Sequence, residues 1–120
     1  MTTVPLPWTK PPLSLNDRGH WAVRAQKIKE VRRTVWLLTR RLPQMDAATL
    51  TLHYQPRDNR RRDSDNLFAT VKACADGLRD AGVIPDDDTT HLSHNEPVIH
   101  RAVKGEPGRM WLEITPRGNA

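Results

Sequence analysis

Two carboxylates two residues apart stand at Asp63 and Asp65, in the run Asp63-Ser64-Asp65-Asn66. On an extended chain the side chains of residues i and i+2 point to the same side, so this pair can share a hard, oxygen-seeking cation such as Mg²⁺. The same residues also suit a helix start, where a carboxylate caps free N–H groups and meets the positive end of the helix dipole. Spacing alone leaves both readings open. A second acidic group, Asp86-Asp87-Asp88, follows Gly82-Val83-Ile84-Pro85. Three adjacent acids repel one another, and they fit either a solvated turn or a cation site. Lys72 lies between the two groups. Directly upstream, Arg57, Arg60, Arg61 and Arg62 form either a solvated loop or a set of phosphate contacts beside the acids. His91, His94 and His100 raise the question of zinc, but no thiolate or clear third ligand stands near them, and the single cysteine, Cys74, excludes both a multi-thiolate site and an internal disulfide.

These groups need elements to hold them. Ala48 to Gln55 alternates Leu50, Leu52 and Tyr54 with Thr49, Thr51 and His53, which predicts a strand with one buried face. The polar run Pro56 to Arg62 ends it. A helix is then expected from Asn66 to Ala81, capped by Ser64 or Asp65, with Leu67, Val71, Cys74 or Ala75, and Leu78 on one side and Gly82 as its stop. An earlier helix is expected from His20 to Leu42, ending at Pro43, because Ile28, Val31, Val35, Leu38 and Leu42 recur at helical spacing. Its other faces are basic. The lead-in, residues 1–19, contains Pro5, Pro7, Pro11 and Pro12 and reads as extended, with a short edge strand at Val4 to Leu6 or at Leu13 to Leu15. Pro97 to Lys104 and Arg109 to Thr115 look like two strands of a hairpin joined at Gly105 to Gly108, with residues 116–120 fraying. The order predicts an α+β domain: a small mixed sheet with two main helices on one side and a strand–helix–strand core over residues 48–104 that can cross over in parallel.

At 120 residues and 37% hydrophobic, the chain is expected to be one domain, 1–120, whose lean core makes burial in a dimer attractive. Trp8, Trp21, Trp36 and Trp111 are assigned to core or dimer contacts ahead of base stacking. No apolar run is long enough to span a bilayer and no signal peptide is evident, so a cytoplasmic protein without a membrane partner is expected. The net charge of +5 divides unevenly: residues 20–62 carry eleven bases and three acids, and residues 63–96 carry eight acids and two bases. A basic half suits a polyanion such as DNA. An acidic cluster in the same molecule would repel that partner unless divalent cations neutralise it, which points to a metal-dependent enzyme acting on nucleic acid.

The segment RRDSDNLFATVKACADGLRDAGVIPDDD resembles the core of RusA-type Holliday junction resolvases, a family marked by D-x-D-N at a helix start, a lysine within the helix, and a Gly-Val-Ile-like run ending in paired aspartates. Pro12-Leu13-Ser14-Leu15-Asn16 is more loosely similar to the family's first segment. The resemblance implies a dimeric Mg²⁺-dependent endodeoxyribonuclease, with Mn²⁺ as a substitute metal and no small-molecule cofactor, that cuts opposing strands of a four-way junction. It makes Asp63, Asp65 and Asp87 metal ligands, with Asp86 or Asp88 as alternatives to Asp87, and Lys72 the catalytic lysine. In the commoner form of the family that lysine comes four residues after the second aspartate; here the interval is seven. A helix turns about 700° over seven residues, which keeps Lys72 on the face of Asp65 but moves it along the axis. Arg57, Arg60, Arg61 and Arg62, with Asn16, Arg18 and His20, are the expected DNA contacts. Sixteen helical residues span about 24 Å, so either residues 82–87 fold back along the helix or Asp87 completes the partner's site, and the second is slightly favoured. The competing readings are a non-catalytic junction-binding protein on the same scaffold and a phosphotransferase with Asp63 as nucleophile; the latter lacks an apolar strand end before Asp63 and a phosphate loop beside it.

Overall fold

The strand expected at Ala48–Gln55 forms there (β2), with Ala48, Leu50, Leu52 and Tyr54 buried on one face. A computed structural model describes residues 1–14 and 20–117 of the chain. The other strands are β1 (Thr2–Leu6), β3 (Leu92–His94), β4 (Val98–Ile99) and β5 (Arg109–Pro116), and the helices are α1 (Trp21–Thr39) and α2 (Phe68–Asp80). The chain is thus α+β, with a mixed five-stranded sheet in the order β1-β5-β2-β3 and with β4 continuing along the β3 edge of β2. β1 and β2 both run antiparallel to β5, whereas β3 and β4 run parallel to β2. A parallel return needs a crossover, and α2 supplies it.

Both helices cover one face of the sheet. Val31 and Val35 of α1 and Val71, Cys74 and Leu78 of α2 join Leu50, Leu52, Leu112 and Ile114 in a single core. The helices approach closely because position 77 is glycine: a Cβ there would come within 2.8 Å of the Val35 Cβ and 2.9 Å of the Arg32 carbonyl oxygen. Arg32 also donates two 2.9 Å hydrogen bonds to the Asp80 carboxylate, tying the helices at their surface. Gly82, at φ +75°, ends α2 as its position in the sequence predicts.

Several expectations need correction. The proposed hairpin does not form, because both edges of β5 are already taken by β1 and β2. Its first arm contributes only Val98–Ile99, and Ala102 then donates its N–H to Asn59 Oδ1 at 2.8 Å, which draws the chain away from the sheet. β3 was not foreseen. α1 ends at Thr39, buried and bonded through its hydroxyl to the Val35 carbonyl, while Leu38, expected in the core, is 46% exposed. The first strand lies at Thr2–Leu6, whereas Leu13 plugs the core outside any strand. Of the four tryptophans, Trp8 is half-buried against the core as expected, whereas Trp21 is largely exposed. β5 persists through Pro116, and Arg117 donates its N–H to the Ala47 carbonyl, so fraying does not begin at 116. No helix among the described residues is long and apolar enough to cross a membrane.

Candidate active site

The chain leaves β2 at Gln55, passes the arginine-rich loop, and reaches Asp63 in extended conformation (φ −95°, ψ 131°). Ser64–Leu67 is a 3-10 turn that leads into α2. Asp63 precedes that turn without a side-chain capping bond, and Asp65 lies in it. Both are exposed, and neither carboxylate has a hydrogen-bond or ion-pair partner among the described residues. The capping role open in the sequence is therefore not the one they take.

Their freedom is unexpected beside so many cations, and Asp58 explains it. Arg62 Nη2 and Arg60 Nε reach Asp58 Oδ1 at 2.8 and 3.2 Å, and Arg57 Nε lies 3.8 Å from Oδ2. Hydrogen bonds from the Arg62 side chain and the Arg60 backbone hold the Asp58 carboxyl down at about 2. Arg62 is pinned further by bonds to the carbonyls of Asp58 and Arg60 and lies over the Tyr54 ring. Among the described residues Arg61 alone of the four faces no protein partner. It borders a cavity of about 400 Å³ together with Lys10, Tyr54, Asp63 and Asn66.

A second charged cluster lies farther along α2. Val83 and Ile84 are buried, Val83 accepts the Met45 N–H at 2.7 Å and donates to the Leu78 carbonyl, and the chain thereby folds back against the helix. Asp87 then meets Lys72 Nζ at 2.9 Å and Arg79 Nη1 at 3.1 Å. Lys72 also holds Asp76, at 3.2 Å. Within one chain residues 82–87 fold back along α2, and they deliver Asp87 to Lys72 and Arg79. The Lys72 hydrogen bond, then the contact with Asp76, holds the Asp87 carboxyl far below the usual carboxylate range. Burial, then the hydrogen bond to Asp87, pushes Asp76 up. The hydrogen bond to Asp87 raises Lys72. Asp86 accepts the Asp87 N–H, and Asp88 is committed to the next turn through His91 Nδ1 at 2.7 Å and the N–H groups of Thr90 and His91.

The geometry therefore brings Asp87 to Lys72, not to Asp63 and Asp65. Among the described residues no three His, Cys, Asp or Glu side chains form a metal-holding group. With about 120° and 2 Å per residue in the 3-10 turn, Lys72 stays within roughly 40° of the Asp65 face but stands roughly 12 Å along the axis from it. With Asp63 extended and Asp65 inside the 3-10 turn, the same-side argument for an extended chain no longer applies to the pair; as residue types, one or two carboxylates completed by water and substrate phosphate are what Mg²⁺ commonly takes. Asn16 and Arg18 lie outside the described residues, and His20 caps α1 by accepting the Ala22 N–H at 3.1 Å.

Sequence reasoning missed Asp58, Asp76, Arg79, Lys10 and Tyr54. The spacings Asp58-x-x-x-Arg62, Lys72-x-x-x-Asp76 and Asp76-x-x-Arg79 are local pairs and were legible, whereas Lys10 and Tyr54 reach the site only through tertiary folding. It also missed the uncovered sheet face, where His53 bonds His100 at 2.9 Å and Glu113 at 3.0 Å beside the Trp111 ring.

No family model matches the chain. A Xylella fastidiosa (strain Temecula1 / ATCC 700964) protein named "Uncharacterized protein" is 32% identical over 122 residues, covering 96% of this chain and 76% of that protein. This chain belongs to that protein's family. The match spans both ends of α2, so the free carboxylates and the paired ones lie within the shared region.

Proposed function

We propose that the chain is a Mg²⁺-dependent endodeoxyribonuclease that resolves four-way DNA junctions, acting as a homodimer so that two sites can cut opposing strands. The observation that carries this reading is the pair of unpartnered carboxylates, Asp63 and Asp65, beside an arginine-rich loop. The resemblance of residues 61–88 to RusA-type resolvases supports it. A divalent cation held by Asp63 and Asp65, or Mn²⁺ in its place, would supply Lewis acidity that withdraws charge from the scissile phosphate. The chain's own residues do the rest. Arg57, Arg60 and Arg61 offer guanidinium N–H groups to neighbouring phosphates, and exchange of the exposed Asp58 contacts of Arg57 and Arg60 for phosphate costs little because surface ion pairs are weak. Arg62, pinned on Asp58 and over Tyr54, shapes the loop. Asp87 and Lys72 hold the 82–87 loop on α2 and so fix the flank of the site.

One observation favours a second reading, a junction-binding protein without catalysis: the third carboxylate is satisfied by Lys72 and Arg79 instead of joining the first two. A labelled four-way junction, a matched duplex and a flap, incubated with and without Mg²⁺, separate the readings. The nuclease cuts the junction in preference to the duplex only with Mg²⁺. Equal cutting of all three would end the resolvase claim, and selective binding without cutting would establish the second reading.

A further inference from the structure

Resting on the nuclease reading, we propose that the cavity beside Asp63 is the subsite for a DNA phosphate flanking the cut, and that Lys10 is its principal lysine. The cavity, about 400 Å³, is bordered by pinned Arg62 and by several polar side chains that have no partner among the described residues. Lys10, Arg61, Asp63 and Asn66 make no side-chain hydrogen bond or ion pair among the described residues. Tyr54 borders the same space with only 6% of its surface exposed, and its hydroxyl finds no hydrogen-bond partner among them either. That hydroxyl is not itself buried, so it is open to a ligand oxygen or a water in the cavity.

Lys10 is carried on a strap whose two ends are fixed. On one side, Thr9 packs so tightly against Gly108 that a Cβ there would lie 1.9 Å from the Thr9 carbonyl oxygen. On the other, Leu13 is 1% exposed and its carbonyl accepts the buried Thr70 hydroxyl at 2.8 Å, which ties the strap to the first turn of α2. Pro11 and Pro12 stiffen the link between. The strap thus places a lysine on the cavity that Asp63 also borders. Lys72 is committed to Asp76 and Asp87 and Arg62 to Asp58, while the exposed Arg57 and Arg60 do not line this cavity. Lys10 and Arg61 together offer two charges to an anion, while Asn66 and Tyr54 offer neutral donors. A phosphodiester, with charge on two oxygens and an uncharged sugar edge, matches that set.

The test measures binding of a labelled four-way junction by the full chain without divalent metal, across a salt series, for wild type, Lys10→Ala, Lys10→Arg and Arg61→Ala. Loss of one phosphate contact should lower the slope of log K against log salt by about one, uniformly across junction sequences, in Lys10→Ala and in Arg61→Ala, with recovery in Lys10→Arg. In Mg²⁺ and at limiting junction, Lys10→Ala should cut about tenfold more slowly than wild type, an effect of the size expected when one charge-assisted contact to a flanking phosphate is lost. An unchanged slope in a folded Lys10→Ala, with wild-type cutting intact, would overturn the inference alone. Wild type that neither binds nor cuts DNA would overturn the nuclease reading and this subsite with it.

Discussion

At the N-terminal end of α2, Asp63 and Asp65 are exposed and unpartnered among the described residues, although four arginines lie within eight positions of them. Farther along the same helix, Asp87 is 12% exposed at its side chain and is held by Lys72 and Arg79. Both sets are aspartates beside bases, yet one is saturated and the other open. The difference lies in where the nearby bases are spent. Asp58 takes up three arginines before they reach Asp63, whereas Lys72 and Arg79 converge on Asp76 and Asp87, with Asp80 only a 3.8 Å neighbour of Arg79. An open acidic pair is costly only in repulsion, and an incoming cation can relieve that; a saturated acid has already found its counter-charge and serves to hold its loop.

The largest expected difference follows from that contrast. Asp63→Asn or Asp65→Asn should abolish Mg²⁺-dependent junction cutting, by at least about 100-fold, because each removes half of the two-carboxylate set. Urea denaturation should find either variant within about 0.5 kcal/mol of wild type, as expected for an exposed side chain with no partner to lose. A destabilisation of several kcal/mol would show that these carboxylates hold the fold and would erase the distinction.

Asp87→Asn should do the reverse, lowering stability at neutral pH by about 1–2 kcal/mol through weakened charge-assisted bonds. The sign with pH is fixed by the depressed Asp87 carboxyl. Its contribution is present above the ordinary carboxylate value of about 4 and is lost as pH falls through the lower folded value, so the gap between wild type and Asp87→Asn should close in acid. Asp76 opposes this, because its raised carboxyl contributes below about 4 and loses that contribution as pH rises through its folded value. Cys74 offers an independent reporter: the thiol is fully buried and burial pushes it up to about 12, so alkylation requires opening of the core. Alkylation under native conditions should quicken in Asp87→Asn and stay at the wild-type rate in Asp65→Asn.

The periodic elements were the readable part of the sequence. β2, α2 and the Gly82 stop follow from alternation, helical spacing and a left-handed glycine, all of which are local. The hairpin failed because the turn signal at Gly105 is local too, whereas the pairing of β5 is decided by β1, more than a hundred residues away along the chain. The acids were legible as acids, and the division of net charge correctly separated a basic half from an acidic one. Which acids would be free was not legible, since that depends on Asp58 turning three arginines toward itself and on Val83 and Ile84 burying themselves so that Asp87 lands on Lys72.

The smallest expected effect concerns Lys72, and it probes the comparison most finely. Lys72 is 69% exposed at its side chain, so water screens its pairings and each contributes little. If its role is to hold the loop, Lys72→Met should cost about 0.5 kcal/mol, less than Asp87→Asn, because Arg79 still holds Asp87 at 3.1 Å. Lys72 is raised by its hydrogen bond to Asp87, so its contribution is fully present below the ordinary lysine value of about 10.4 and fades as pH rises through the higher folded value. Denaturation of Lys72→Met at neutral pH and near pH 11 should therefore show a gap from wild type that shrinks at the higher pH. A variant of wild-type stability that instead lost one unit of salt slope on the junction would place Lys72 on the DNA, and the paired end of α2 would then belong to the substrate surface as much as the open end does.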